Sequence, residues 1–375
     1  MAGLQGRTTF AERVGKRLRN EWFTLIDVGC RDGIASGWRS FEPKLRAWGF
    51  EPNLAECRRL EAGERNPNVR YVPAFVGIPP DHPFAAKKGD RPHYARNPWQ
   101  RLSAARSLEI ISRSSGALSA RQRTELNLWQ TTALADASRP VYLLKFFSEH
   151  NIDGVDFVKI DVDGADFDIL ASLDSSLDAL GVLGVGLEVN YVGSECETDH
   201  SFHNTDRFLR AHGFDLFGLS VRRYSNTSLP SRYRQQVPGP TEYGRPLQGD
   251  ALYLRDLASP DAANIAQGFS AEKLAKLAAI FSLFQLPDCA AELLLHFRDR
   301  LADFLDVDHG LDLLAQQAQV DDARRLSYRQ YMAAFEANSP MFYRGRLWPL
   351  TDLPRLGRRG MRRVWRYLNA RSMEP

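Results

Sequence analysis

A run of apolar residues that stops abruptly on charge constrains this chain more than any other feature. In the stretch from Val155 to Leu170, the residues Val155, Phe157, Val158, Ile160 and Val162 read as a central strand, and Lys159, Asp161, Asp163 and Asp166 crowd its carboxyl end. Gly164 then lets the backbone turn into an amphipathic helix carrying Phe167, Ile169, Leu170 and Leu173. In open α/β sheets, ligands bind outside the carboxyl ends of the strands. An aspartate near a first helical turn also serves the helix dipole, and Asp163 and Asp166 suit that simpler role. Asp161 suits it less, because it interrupts the apolar run at the last strand position.

A second segment narrows the ligand. Phe23 to Gly33 is a strand running into a turn punctuated by Gly29 and Gly33, and Trp48 to Asn53 is a strand ending on Glu51. Such glycines permit close backbone approach, and Glu51 lies about the ~20 residues downstream at which a ribose-binding acid stands in dinucleotide-type folds. The order suits a nicotinamide cofactor or S-adenosylmethionine. A pyrophosphate would face Asp27 and Asp32 and want glycine where Arg31 stands, whereas carboxylates attract an ammonium and a sulfonium.

The blocks Ile26–Gly33, Gly49–Asn53 and Asp156–Asp166 resemble, in that order, the FkbM-type class I methyltransferases. The likeness continues through Leu187–Asn190, Phe208–Leu216 and Gly249–Leu254, covering roughly residues 20 to 256. Asp163 and Asp166 stand where that family more often has glutamate, and a long segment separates the third strand from the signature block. The resemblance implies a Rossmann-like α/β sheet with helices on both faces, an antiparallel final strand pair formed by Phe214–Leu219 and Ala251–Leu254, and S-adenosylmethionine as donor. The donor set is then Asp27, Gly29, Cys30, Gly33, Glu51, Pro52, Asn53, Ala74, Phe75 and Asp161. The acceptors it implies are glycan sugars or natural-product hydroxyls, and a sugar in a glycan or glycolipid is the one expected here.

Strand and helix alternate from Phe23 to about Val76: a helix around Trp38 to Ala47, a helix from Asn53, and a strand through Val69 to Val76, as in a doubly wound sheet. From 77 to 140 the pattern changes to a proline-rich basic loop over 79–98 and helices around Leu102–Arg113 and Ala120–Leu134. A segment that long inside a domain is usually functional or disordered, and a partly helical lid is the expectation. Beyond the signature, Leu183–Val189 is a strand, Thr205–His212 a helix, and Tyr224–Gly249 a second polar loop. The division expected is an N-terminal extension (1–20), a methyltransferase domain (21–257) with the inserted lid, a helical domain (258–340) and a basic aromatic tail (341–375). In the helical domain, Ser270 caps a helix with Leu274, Leu277, Phe281 and Phe284 on one face, and Asp288 starts another. Such helices form a core or a homo-oligomer contact.

The net charge is only +3, so the arginine-rich tail leaves the rest of the chain net acidic. Nucleic acid is therefore not an expected partner. The tail's interleaved Trp and Tyr suit an anionic membrane surface, or simply packing on the helical domain. Cys30, Cys57, Cys196 and Cys289 show no metal or disulfide spacing. Residues 1–10 lack a signal-peptide core and no apolar run reaches ~20 residues. The expectation is a cytoplasmic protein, at most peripheral at the membrane.

An aliphatic hydroxyl needs a base or a Lewis acid to attack a methyl group. Asp161, Glu188 and Asn190, at the ends of adjacent strands, form an oxygen set suited to Mg2+ or Mn2+. The alternative is a histidine base, His203 or His200. Lys159, two residues before Asp161 on the strand, is expected to pair with a carboxylate or touch substrate. Two other readings stay open: a nicotinamide-dependent oxidoreductase and a catalytically idle glycan-assembly subunit.

Overall fold

β1 (Phe23–Val28) is buried along its whole length, which is how a parallel strand covered on both faces reads in sequence. It pairs in parallel with β2 (Leu45–Phe50) and β4 (Phe157–Ile160), β2 with β3 (Val69–Val72), and β4 with β5 (Gly184–Asn190). β8 (Arg245–Leu254) runs antiparallel to β5 and also to β6 (Asp215–Leu219), and β7 (Arg222–Tyr224) pairs with the first half of β8. The sheet order is β3-β2-β1-β4-β5-β8-β6. The expected antiparallel end of the sheet is present, with β8 inserted between β5 and β6. The computed structural model describes residues 9–88, 99–113, 135–136, 139–162, 164–193, 195–319 and 325–342.

Each sheet face has its own cover. On one, Ile26, Val28, Val158, Ile160, Val185 and Leu187 pack with α5 (Leu143–Glu149), α6 (Asp166–Ala171) and α7 (Phe202–Ala211) through Phe146, Phe147, Phe167, Ile169 and Leu209. On the other, Phe23 stacks on Phe41 at 3.7 Å between ring centres, and Phe157 stacks on Phe284 at 5.5 Å. This second layer includes α1 (Phe10–Arg17), fixed by a reciprocal cap between Thr9 and Glu12, and α8 (Ala271–Leu283), capped by Ser270. α1 lies so close to the short 3-10 helix Ser36–Phe41 that a Cβ at Gly15 would stand 2.1 Å from the Ser40 carbonyl.

Several expectations change. The helix expected over Trp38–Ala47 is that 3-10 turn, and β2 already starts at Leu45. Pro43, with no N–H to give a helix, is the reason. The third strand stops at Val72, before Pro73, and the rest of the expected strand survives as one bridge, Val76 to Val141. Within the expected loop 79–98, Pro83–Lys88 is a helix, α3. Ser103–Arg113 is helical (α4) as expected, while the helix expected over Ala120–Leu134 and the tail beyond 342 lie outside the described residues. The polar loop expected over Tyr224–Gly249 gives its ends to β7 and β8.

The domain limits also differ. The chain divides into units Met1–Gly310 and Leu311–Pro375, so the helices after 258 start inside the sheet unit, and the N-terminal helix belongs to it too. Lys276 of α8 explains this. It is 2% exposed, and its Nζ donates to Glu21 Oε2 and to the Trp22 carbonyl, both at 2.7 Å, and reaches Asp156 at 3.3 Å. Lys273 reaches the same Asp156 at 2.7 Å. In the second unit, Ser327 and Gln330 cap the helix Tyr328–Ala337 reciprocally.

Candidate active site

Strand register builds the site. Val28 is level with both Phe50 and Ile160, so the residues that follow, Gly29, Glu51 and Asp161, fall in one row across the carboxyl edge of β2, β1 and β4. Backbone bonds hold the row: Gly29 N–H to the Phe50 carbonyl and Asp161 N–H to the Val28 carbonyl, both 2.9 Å, and Glu51 N–H to the Val72 carbonyl, 3.1 Å.

Both glycines serve the chain's own packing. Gly29 has φ +81°, and a Cβ there would lie 1.9 Å from the Asp161 carbonyl oxygen. Gly33 has φ +87°, and its absent Cβ makes room for Leu60 and the Tyr71 hydroxyl. The turn is held from behind. Asp32 N–H donates to Glu56 at 3.2 Å and Ile34 N–H to the Tyr71 hydroxyl at 3.4 Å, and Tyr71 donates to Glu64, which Arg39 grips with two bonds of 2.8 and 2.6 Å. Tyr71 and this ion pair were missed in the sequence. The alternation of Tyr71 with Val69 on β3, level with Gly49 of β2, is the signal that points to it.

Charge at the edge is concentrated around Lys159. Its Nζ lies 3.1 Å from Asp27, 3.6 Å from Asp161 and 2.9 Å from the Gly29 carbonyl. Burial opposes its charge, but Asp27 and Asp161 together outweigh burial and raise its pKa above the ordinary lysine value. It therefore stays an ammonium, and its role is electrostatic rather than that of a base. Burial raises the Asp27 carboxyl against the pull of Lys159. Asp27 Oδ1 is buried and accepts no aligned hydrogen bond among the described residues, and Lys159 serves it as an ion-pair partner. A buried carboxylate beside the Gly29 turn suits a cationic donor such as S-adenosylmethionine.

Glu51 is 8% exposed. Burial raises its pKa, opposed by the Asn53 N–H, which donates to it at 2.9 Å. Asn53 also caps α2 (Leu54–Gly63) through bonds to Ala55 and Glu56. The Cys30 side chain packs where a Cβ on Gly49 would come within 2.6 Å of its sulfur, and burial pushes its thiol far above the ordinary range. Cys30 can therefore meet a donor only through its backbone. Pro52 offers its carbonyl to Ala135 N–H at 2.7 Å, and Phe75 offers its own to Val141 at 2.7 Å. The inserted segment thus leaves and returns beside β3, with Ala74 buried at the junction. Its helix α3 rests on α6 through Lys88 and Asp168, 2.5 Å apart, and Phe84 edge-on to Phe167.

Each member of the oxygen set expected to hold a divalent ion has a protein partner. Asp161 faces Lys159, Glu188 pairs with Arg222 at 2.9 Å and accepts from Gln248 at 3.1 Å, and Asn190 pairs with His200 at 3.2 Å. Among the described residues no group of His, Cys, Asp and Glu is arranged to hold a metal. Arg222, brought in by β7, is the counter-charge to a buried Glu188. His200 is a structural residue: it is 2% exposed, its Nε2 sits 3.0 Å from the Glu188 carbonyl, and its Nδ1 lies 3.8 Å from Asp166. Asp166 accepts from Val162 and Gly164 at 3.2 and 3.1 Å and so shapes the turn after β4. Asp163 lies outside the described residues. His203 is exposed in the first turn of α7, beside Gly193.

Among the described residues no helix is long and apolar enough to cross a membrane. No curated protein matches the chain. Among solved structures, it is similar to magnesium protoporphyrin IX methyltransferase from Synechocystis with bound S-adenosylmethionine (8% identity, TM-score 0.28, 65% of this chain and 76% of that one). It is also similar to a TehB-like S-adenosylmethionine-dependent methyltransferase from Corynebacterium glutamicum (10%, 0.26, 67% and 90%). A third is an S-adenosylmethionine-dependent methyltransferase from Aquifex aeolicus (9%, 0.26, 66% and 90%). The methyltransferase FkbM domain profile matches residues 27–216. With half of its length matched, the chain belongs to the FkbM methyltransferases of the S-adenosylmethionine-dependent class.

Proposed function

We propose that the chain transfers a methyl group from S-adenosylmethionine to a hydroxyl of a sugar in a glycan or glycolipid. The observation that carries the donor half is the row Gly29, Glu51 and Asp161 with the Asp27–Lys159 pair behind it. When bound, S-adenosylmethionine supplies an electrophilic methyl on a sulfonium. Glu51 accepts hydrogen bonds from the ribose hydroxyls, the turn from Gly29 to Gly33 orients the amino-acid portion, and Lys159 fixes the charge of Asp27 and Asp161 at that edge.

The acceptor half rests on the β5 end. Glu188, Arg222, Gln248 and Asn190 there form a polar hydrogen-bonding cluster suited to a polyhydroxylated molecule. With both ring nitrogens of His200 engaged and Lys159 held as a cation, exposed His203 is the base that takes the hydroxyl proton. Incubation of the protein with S-adenosylmethionine and separate panels of oligosaccharides and small hydroxylated natural products, read by product mass spectrometry, tests this. Methylated oligosaccharide supports the reading. Methylation confined to the second panel would replace the acceptor class, and formation of neither product would favour an idle subunit.

A further inference from the structure

One cavity of about 410 Å³ is lined by Arg13, Lys16, Arg17 and Arg19, all cations. The first three stand at i, i+3 and i+4 on one face of α1, where like charges destabilise a helix rather than support it. The single carboxylate of α1, Glu12, is engaged in the cap with Thr9. Glu272, the acid that touches this segment, uses its oxygens on the backbone N–H groups of Arg19, Asn20 and Glu21. Among the described residues none of the four cations has an ion-pair partner. Arg13 and Arg17 are half-buried, and Arg13 Nε is buried with no hydrogen bond among the described residues, the kind of orphan that calls for an unseen partner. The preference of helix C-termini for cations accounts for Lys16 and Arg17 in the last turn. It does not account for Arg13 one turn earlier or for Arg19 beyond the helix end.

We infer that this pocket is a binding site for a phosphate group. Guanidinium forks match phosphate oxygens two bonds at a time, and a wall whose described residues are all cations favours an anionic ligand. The opposite side of α1 is locked into the core by Phe10, Ala11, Val14 and Leu18, so the cations are displayed on a fixed frame. The pocket adjoins the amino end of β1 and the donor turn follows its carboxyl end, with a strand of ~20 Å between them. The site is therefore separate from the donor site and does not depend on the proposed acceptor.

The test titrates the full chain with inorganic pyrophosphate in solution and, separately, with vesicles of phosphatidylglycerol against vesicles of phosphatidylcholine. Two double variants are compared with it: Arg13→Gln with Arg17→Gln, and Lys16→Gln with Arg19→Gln, the latter leaving the half-buried side chains in place. Unchanged affinity for S-adenosylhomocysteine establishes that each is folded. Pyrophosphate binding that drops about tenfold or more in a folded variant supports the site and assigns it to a soluble phosphate. Binding to phosphatidylglycerol alone, weakened in the same way, supports it and assigns it to a lipid headgroup. No binding of either probe, or binding unchanged in both folded variants, overturns it.

Discussion

Lys159 shows how one residue's meaning depends on the fold. Its place in the strand and the carboxylates after it were legible in the sequence, because charge interrupts an apolar run there. Its partner was not, since Asp27 comes from a strand some 130 positions earlier and meets it only through the β1–β4 register. Lys159→Met should leave Asp27 buried without a counter-charge and cost about 2–3 kcal/mol in urea unfolding. That is less than the ~3–5 for a fully buried pair, because Lys159 is 33% exposed. Adding Asp27→Asn should restore most of it, and a double variant no more stable than Lys159→Met would contradict the pairing. His203→Ala should lower kcat by ~10²–10⁴ with S-adenosylhomocysteine affinity unchanged, as for a lost general base. Retention of full kcat would remove His203 from the chemistry.

At the scale of elements, strands were easier to read than what supports them. β1, β4 and β5 announce themselves by largely apolar runs, and the caps at Asn53 and Ser270 by the residues that follow. The helix expected after β1 stops short at Pro43, whose ring and missing N–H end it in a 3-10 turn. The brace behind the donor turn was hidden because it draws on three elements: the 3-10 segment through Arg39, the end of α2 through Glu64, and β3 through Tyr71. Its pH dependence is distinctive. Burial pushes Glu64 up, but the Arg39 bonds and the N–H groups of Asn66 and Arg65 win and lower its pKa to about 2. An unfolded glutamate titrates near ~4.3, so the stability from this group is fully present above that value and is lost as pH falls toward about 2. The stability difference between the wild-type chain and Glu64→Gln, followed by denaturant unfolding, should be constant near neutrality and shrink between those limits. A difference that does not change with pH would show that the Arg39 pair is not the source.

At the scale of the whole molecule, the order of motifs along the chain carried the family and the sheet, because each motif is a strand end and strand ends gather on one edge. The division into units was less legible. Apolar stripes after residue 258 look the same whether they pack on one another or on a sheet, and Phe284 stacked on Phe157, with Lys276 and Lys273 reaching Asp156, shows which. The account as a whole rests on the donor site assembled at the carboxyl ends of β1, β2 and β4. Calorimetric titration with S-adenosylhomocysteine, comparing the wild-type chain with Glu51→Ala, tests it most directly. Removing a charge-assisted hydrogen bond worth ~1.5–3 kcal/mol should weaken binding roughly 10- to 150-fold while the far-ultraviolet spectrum stays the same. Undiminished affinity in the folded Glu51→Ala chain, or no affinity in the wild-type chain, would contradict it.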